Sequence, residues 1–202
     1  MGIRALFVDI GGVLLTNGWD RTGREQAAAH FGIDLVELNN RHQEVFGTYE
    51  LGKISLEEYI HHAVFNKKRD FTPEQFAEFM RSGSAPFSDM LTWVKKIKEK
   101  YHLKVTAVSN EGRELTDYRI KQFQLDSFID TFVISAFVAF RKPDPSIYRL
   151  ALDLTQVPAS ETFYLEDRDL FVQMAQELGI AGVQHVNLET SAKALQKHGL
   201  LV

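Results

Sequence analysis

The chain has 202 residues, of which 45% are hydrophobic and 25% charged, with a net charge of −4 at pH 7. This is the globular average and excludes a mainly disordered chain, and the length can bury a full core, as one large domain or as a core with an insertion. The absence of cysteine excludes disulfides and thiolate chemistry, and without any Lys/Arg tract neither nucleic acid nor an acidic membrane surface is expected as the main partner.

Along the chain, Ala5–Val8 is a short apolar run suited to a strand buried on both faces. Asp9 ends it and Gly11-Gly12 follow, giving a carboxylate at a strand end where the chain can turn sharply. Asp9 also interrupts the amino-terminal apolar stretch before it takes signal-peptide form. The apolar runs fall far short of a bilayer span, so no membrane segment and a cytoplasmic location are expected.

A run of helices then extends to about Ala85. Residues 20–31 carry Arg24, Ala27, Ala28 and Phe31 at helical spacing, with Gly32 as the stop. Asp34 can cap a second helix with Leu35, Leu38, Val45 and Phe46 on its apolar side. Ser55-Leu56-Glu57-Glu58 is a capping box that opens a third helix running towards Phe65. Thr72-Pro73-Glu74-Gln75 is another, followed by the stripe Phe76, Phe79 and Met80. Trp19, Arg21, Arg24, Tyr49 and Lys53 of this block could face a cleft or simply lie on helix faces.

From Pro86 helices and strands alternate, the signature of a mostly parallel α/β sheet. Ser88 can cap a helix with Leu91, Val94, Ile97 and Tyr101 inward. The spacing then predicts strands over 104–108, 131–134, 162–165 and 183–186, and helices over 114–123, 146–154, 169–178 and 191–198. Between the second of these strands and the second of these helices lies Arg141-Lys142-Pro143-Asp144-Pro145, too proline-rich for helix or central strand. The fold expected is therefore α/β, a Rossmann-like parallel sheet core of residues 1–15 and 86–202 with an α-helical cap of residues 16–85 inserted after the first strand.

Ligands of open α/β sheets sit outside the carboxyl ends of the strands. That edge would carry Asp9, then Ser109-Asn110, then Glu166-Asp167, with Lys142 on a loop able to reach it. Each also has a structural explanation, as a turn, a helix cap, an acidic helix start or a surface lysine. Together they form a nucleophile, two neutral donors, a cation and an acidic pair.

In kind, order and spacing these residues resemble the motifs of the haloacid dehalogenase-like hydrolase superfamily, over nearly the whole chain. Asp9 matches the family's first motif, Ser109 the second, Lys142 in RKPDPSIY the third and Glu166-Asp167 the fourth. The resemblance implies a Rossmann-like core, a C1-type helical cap and Mg²⁺-dependent phosphoryl transfer from a small phosphorylated metabolite through an aspartyl-phosphate. It makes Asp9 the nucleophile, Ser109, Asn110 and Lys142 the substrate-binding groups, and Ser109 and Lys142 catalytic partners of Asp9. Asp9, the Gly11 carbonyl and Asp167 would share the metal, with Glu166 behind them. Hard oxygen ligands suit Mg²⁺, and clustered carboxylates that repel by up to ~4 kcal/mol per close pair at an effective dielectric near 20 favour a divalent cation.

At one position the chain departs from the family's phosphatases, which usually carry a second Asp two residues after the nucleophile. Here that residue is Gly11, whose side chain can move no proton, and general acid–base catalysis is commonly worth ~10²–10⁴-fold. Phe140, where a small residue is common, is a second departure. Besides the phosphatase, two readings stay open: a metal-free dehalogenase-type hydrolase in which Asp9 attacks carbon, and a non-catalytic phosphate-binding protein.

Overall fold

The computed structural model describes residues 2–201. Five parallel strands form one sheet in the order β3-β2-β1-β4-β5, with β1 (Ala5–Val8) at the centre, flanked by β2 (Lys104–Ser109) and β4 (Thr162–Glu166). β3 (Thr131–Ile134) and β5 (Ala181–Gln184) are the edges. Because β1 is buried on both faces its side chains divide between two layers. Leu6 and Val8 join a core with Val105, Ala107, Phe163 and Leu165 beneath helix α5 (Ser88–Tyr101). Phe7 points the other way, with Val108, Tyr164, Ile147 and Ala175, under α8 (Pro145–Thr155) and α9 (Asp169–Glu177).

The helical block lies between β1 and α5: α1 (Arg21–Phe31), α2 (Leu35–Glu50), α3 (Leu56–Ala63) and α4 (Pro73–Ser82). Both capping boxes form, at Ser55/Glu58 and at Thr72/Gln75, and Gly32 closes α1 in the left-handed conformation. These helices bury a hydrophobic cluster of their own, with Trp19, Tyr49, Tyr59, Phe76 and Met80 at its heart. Each residue such as Phe76 contributes ~1.5–3 kcal/mol by burial. Leu115 of α6 (Arg113–Gln122) is the core residue that enters this cluster. Among the described residues no helix is long and apolar enough to cross a membrane.

Some element boundaries differ from the periodicity. The fifth strand is Ala181–Gln184, two residues earlier than the apolar run 183–186, because Ala181 and Gly182 take up the parallel register against Phe163 and Tyr164. The last helix, α10, starts at Leu188 because Asn187 supplies its cap to Thr190 N. Ser88 is the first helical residue of α5, not its cap, and α3 ends at Ala63. One helical turn, α7 (Ser135–Val138), follows β3 without a sequence signal of its own.

Candidate active site

The strand order reverses between β1 and β4, so a crevice opens at their carboxyl ends. Asp9 follows β1 and its backbone N–H donates to Leu165 O at 2.9 Å, which fixes it beside the end of β4. Its side chain is almost wholly buried, and Oδ1 accepts from Ile10 N at 2.8 Å. Ser109 is the last residue of β2 and Glu166 the last of β4, so three neighbouring strands deliver their ends to one place.

Lys142 joins them. Its Nζ, 1% exposed as a side chain, lies 2.9 Å from Asp9 Oδ2 and 2.6 Å from Glu166 Oε2, and donates to Val108 O at 3.0 Å and towards Tyr164 Oη at 3.1 Å. Tyr164 Oη in turn donates to Glu166 Oε2 at 2.5 Å, while Arg168 N donates to Glu166 Oε1 at 3.0 Å. Burial, and secondarily the charge of Glu166, push the Asp9 carboxyl up to about 6 against the pull of Lys142. Burial alone would lower the Lys142 ammonium, but Asp9 and Glu166 outweigh it and hold it above its ordinary value.

Asp167 completes the acidic group. One carboxylate oxygen each from Asp9, Glu166 and Asp167 can be chosen so that all lie within 4.8 Å of one another. Gly12, with φ +76°, makes room: a Cβ there would stand 2.3 Å from Asp167 Oδ2. Gly11 faces a different neighbour, since a Cβ added to it would come within 2.8 Å of Asn17 Oδ1. The place of a side chain at position 11 is thus held by the Asn17 amide. Asn110, expected on substrate, instead spends its side chain on the Lys142 backbone, donating to Lys142 O at 2.9 Å and accepting from Lys142 N at 2.8 Å. It positions the lysine.

These groups line a cavity of ≈ 80 Å³ that also meets Glu50, Glu111, Arg119, Arg141 and Arg168. A second chamber of ≈ 110 Å³ shares Asn17, Glu50 and Arg119 with it and is walled by Trp19, Phe46 and Leu115. A larger depression of ≈ 520 Å³ lies at the amino ends of β2 and β3, by Lys104 and Thr131, and contains none of these groups.

Several of these side chains carry no motif. Tyr164 stands two residues before Glu166, hence on the same face of β4. Arg119 sits four residues after Leu115 on the buried side of α6. Glu50 is an acid in the last turn of a helix, where the dipole disfavours it. Those three signals were readable. Of the insertion residues singled out, Trp19 lines the second chamber and Tyr49 is buried beneath Gly112, where a Cβ would stand 2.0 Å from its ring. Arg21 pairs with Glu25 on the surface, Arg24 is bonded to Asn39, and Lys53 is exposed.

The family model described as haloacid dehalogenase-like hydrolase matches residues 25–184. A flavin mononucleotide hydrolase of Arabidopsis thaliana is 26% identical over 185 residues, 88% of this chain and 72% of the relative. A phosphorylated carbohydrates phosphatase of Thermotoga maritima is 29% identical over 154 residues, 72% of this chain and 67% of the relative. Among solved structures, a HAD family enzyme of Bacteroides thetaiotaomicron, in complex with magnesium and inorganic phosphate, superposes with a TM-score of 0.77 at 20% identity. The superposition covers 94% of this chain and 98% of that one, a likeness of fold.

Proposed function

The chain belongs to the haloacid dehalogenase-like hydrolases, and from that premise we propose that it is a Mg²⁺-dependent phosphatase that hydrolyses a small phosphorylated metabolite through an aspartyl-phosphate on Asp9. The observation that carries this reading is the convergence of the Asp9, Glu166 and Asp167 carboxylates within 4.8 Å of one another, with a buried ammonium paired to the first two. The flavin mononucleotide hydrolase and the phosphorylated carbohydrates phosphatase are two relatives named for phosphorylated substrates, which supports the same class.

The donor set fits a hard divalent cation. Lys142 is shared by Asp9 and Glu166, and the Asp167 carboxylate has no hydrogen-bond or ion-pair partner among the described residues. Three carboxylates facing one ammonium leave net negative charge at the mouth of the cavity, where an oxygen-liganded ion belongs. Asp9, Asp167 and the Gly11 carbonyl would hold it, and Glu166, saturated by Lys142, Tyr164 and Arg168 N, stands behind. When bound, the ion would neutralise the phosphoryl oxygens and let an anionic ester approach an anionic nucleophile.

In this reading Asp9 attacks phosphorus in line with the leaving oxygen, splitting one difficult displacement into two easier ones. Lys142 holds the carboxylate in position and offsets charge, and Ser109 reaches the phosphoryl oxygens. Ser109 Oγ lies 3.4 Å from Glu111 Oε1 and also supports the Asp9 carboxyl, which keeps it beside the nucleophile. We assign the helical insertion, residues 16–85, to the C1-type cap over this site.

The test is a panel of phosphomonoesters with Mg²⁺. Turnover abolished by EDTA and lowered roughly 10⁴-fold or more by Asp9→Asn is the expected result. Undiminished turnover in Asp9→Asn, or turnover confined to 2-haloacids in EDTA, would overturn the reading.

A further inference from the structure

With a glycine at position 11, the proton for the leaving group has to come from elsewhere. We propose that Glu50, the last residue of α2 in the helical insertion, is the general acid and base of the reaction. This rests on the phosphatase reading above. Glu50 lines the same cavity as Asp9, Ser109 and Asp167, and also the adjoining chamber walled by Trp19 and Phe46. It therefore borders both the cavity of the nucleophile and the chamber a leaving group would fill.

Its carboxyl is unlike its neighbours. Glu50 is 7% exposed, and Oε2 is buried without a hydrogen bond. Arg141 Nη2 is 2.7 Å away, but no N–H is aimed along that line, so the contact is one of charge alone. Buried polar atoms are nearly always hydrogen-bonded, and the Arg141 charge is the one partner this oxygen has among the described residues. Of the other acids here, Asp9 and Asp167 are already assigned to phosphorus and the cation, and the rest are engaged. Glu111 accepts from Arg119 at 2.7 Å and from Thr116 at 3.3 Å, Glu166 is saturated, and Asp20 caps α1 through Gly23 N.

Both protonation states are also within reach near neutrality, as a group that gives and then retakes a proton requires. Burial raises the Glu50 carboxyl to about 7, against Arg141 and Arg168, with Glu111 adding to the rise and Lys142 opposing it. The carbonyl end of α2 works in the same direction.

The chemistry closes on these groups. As the Asp9 oxygen bonds to phosphorus, the ester P–O bond breaks and its electrons stay on the departing oxygen, which takes the Glu50 proton and leaves as an alcohol. Water then attacks the same phosphorus while the Asp9–phosphorus bond breaks. The Glu50 carboxylate takes the water's proton, inorganic phosphate departs, and both side chains return to their starting forms. Because Glu50 belongs to the insertion, hydrolysis is complete only when those helices are seated.

The experiment measures kcat/KM with Mg²⁺ for aryl and alkyl phosphates of graded leaving-group pKa, in wild type, Glu50→Gln, Glu50→Asp and Asp9→Asn. Glu50→Gln is expected to lose ~10²–10⁴-fold on alkyl esters and much less on aryl esters with good leaving groups. Its plot of rate against leaving-group pKa steepens, and the fall in activity above about pH 7 vanishes. Glu50→Asp keeps that fall at a lower rate. An equal loss on all esters would mark Glu50 as a mere latch to Arg141 and overturn the proposal, as would no loss at all. If Asp9→Asn stays active, the phosphatase reading itself has failed, whatever Glu50 does.

Discussion

Lys142 is buried at 1% exposure between two carboxylates, and four acceptor groups compete for its three protons. Removing one partner of a buried ion pair leaves an uncompensated charge and costs ~3–5 kcal/mol. Lys142→Met, close in volume, is therefore expected to lose about that much stability in EDTA at pH 7, measured by urea unfolding, and adding Glu166→Gln should recover part of it. A Lys142→Met protein as stable as wild type would show that Asp9 and Glu166 are not both charged in the fold. At this scale much of the site was legible. Asp9, Ser109, Glu166 and Asp167 stand out because each is polar where an apolar strand ends, and Lys142 because of the proline-rich run around it. The partner of the Asn110 amide was not legible: it pairs with the backbone of a residue 32 positions away, a contact that no local pattern encodes.

Elements were legible where the chain carries local chemistry. Capping boxes, the stop at Gly32 and the apolar strands form near where the sequence puts them, while α7 and the true span of β5 answer to the sheet. Helix α2 makes a prediction of its own. Trp19 Nε1 donates to Tyr59 Oη at 2.7 Å, and Tyr59 Oη lies 2.9 Å from His42 Nδ1. With Tyr59 donating its proton, His42 must accept and stay neutral. Burial, aided by Arg24, lowers His42 to about 3 from the 6.5 of an unfolded histidine. Between those values the unfolded chain binds a proton the native one refuses, so stability is full above pH 6.5 and falls as pH drops towards 3. This contributes a slope of about 1.4 kcal/mol per pH unit. Glu50, raised to about 7, contributes the opposite sign above pH 4.5. His42→Asn keeps an acceptor but cannot titrate, so its stability between pH 6.5 and 4 should fall less steeply than wild type; equal slopes in the two proteins would refute the assignment.

Across the whole molecule, the two chain segments that join the helical insertion to the core bond each other directly, Thr16 Oγ1 donating to Gly83 O at 3.0 Å, and are also bridged by one core side chain. Arg119 of α6 donates to Asn17 O at 3.0 Å and Ser84 Oγ at 3.0 Å, and pairs with Glu111 at 2.7 Å. Lysine has the charge but not the planar fork. Arg119→Lys should keep the pair with Glu111 and release the linkers, seen as faster hydrogen exchange at residues 17–18 and 84–85. Unchanged exchange there would mean that the direct bonds between the linkers, Thr16 N to Ala85 O and Thr16 Oγ1 to Gly83 O, hold them without Arg119.

By itself the sequence determined the α/β class, the helical insertion and which residue types end each strand, because hydrophobic periodicity, caps and breakers act within a few residues. Only the tertiary structure decided that Asn17 fills the space beside Gly11, that Asn110 serves Lys142, and that Glu50 comes to the same cavity as Asp9. Those outcomes depend on crossover connections and on how two separately packed hydrophobic clusters dock, interactions between residues far apart in the chain that leave no periodic trace in it.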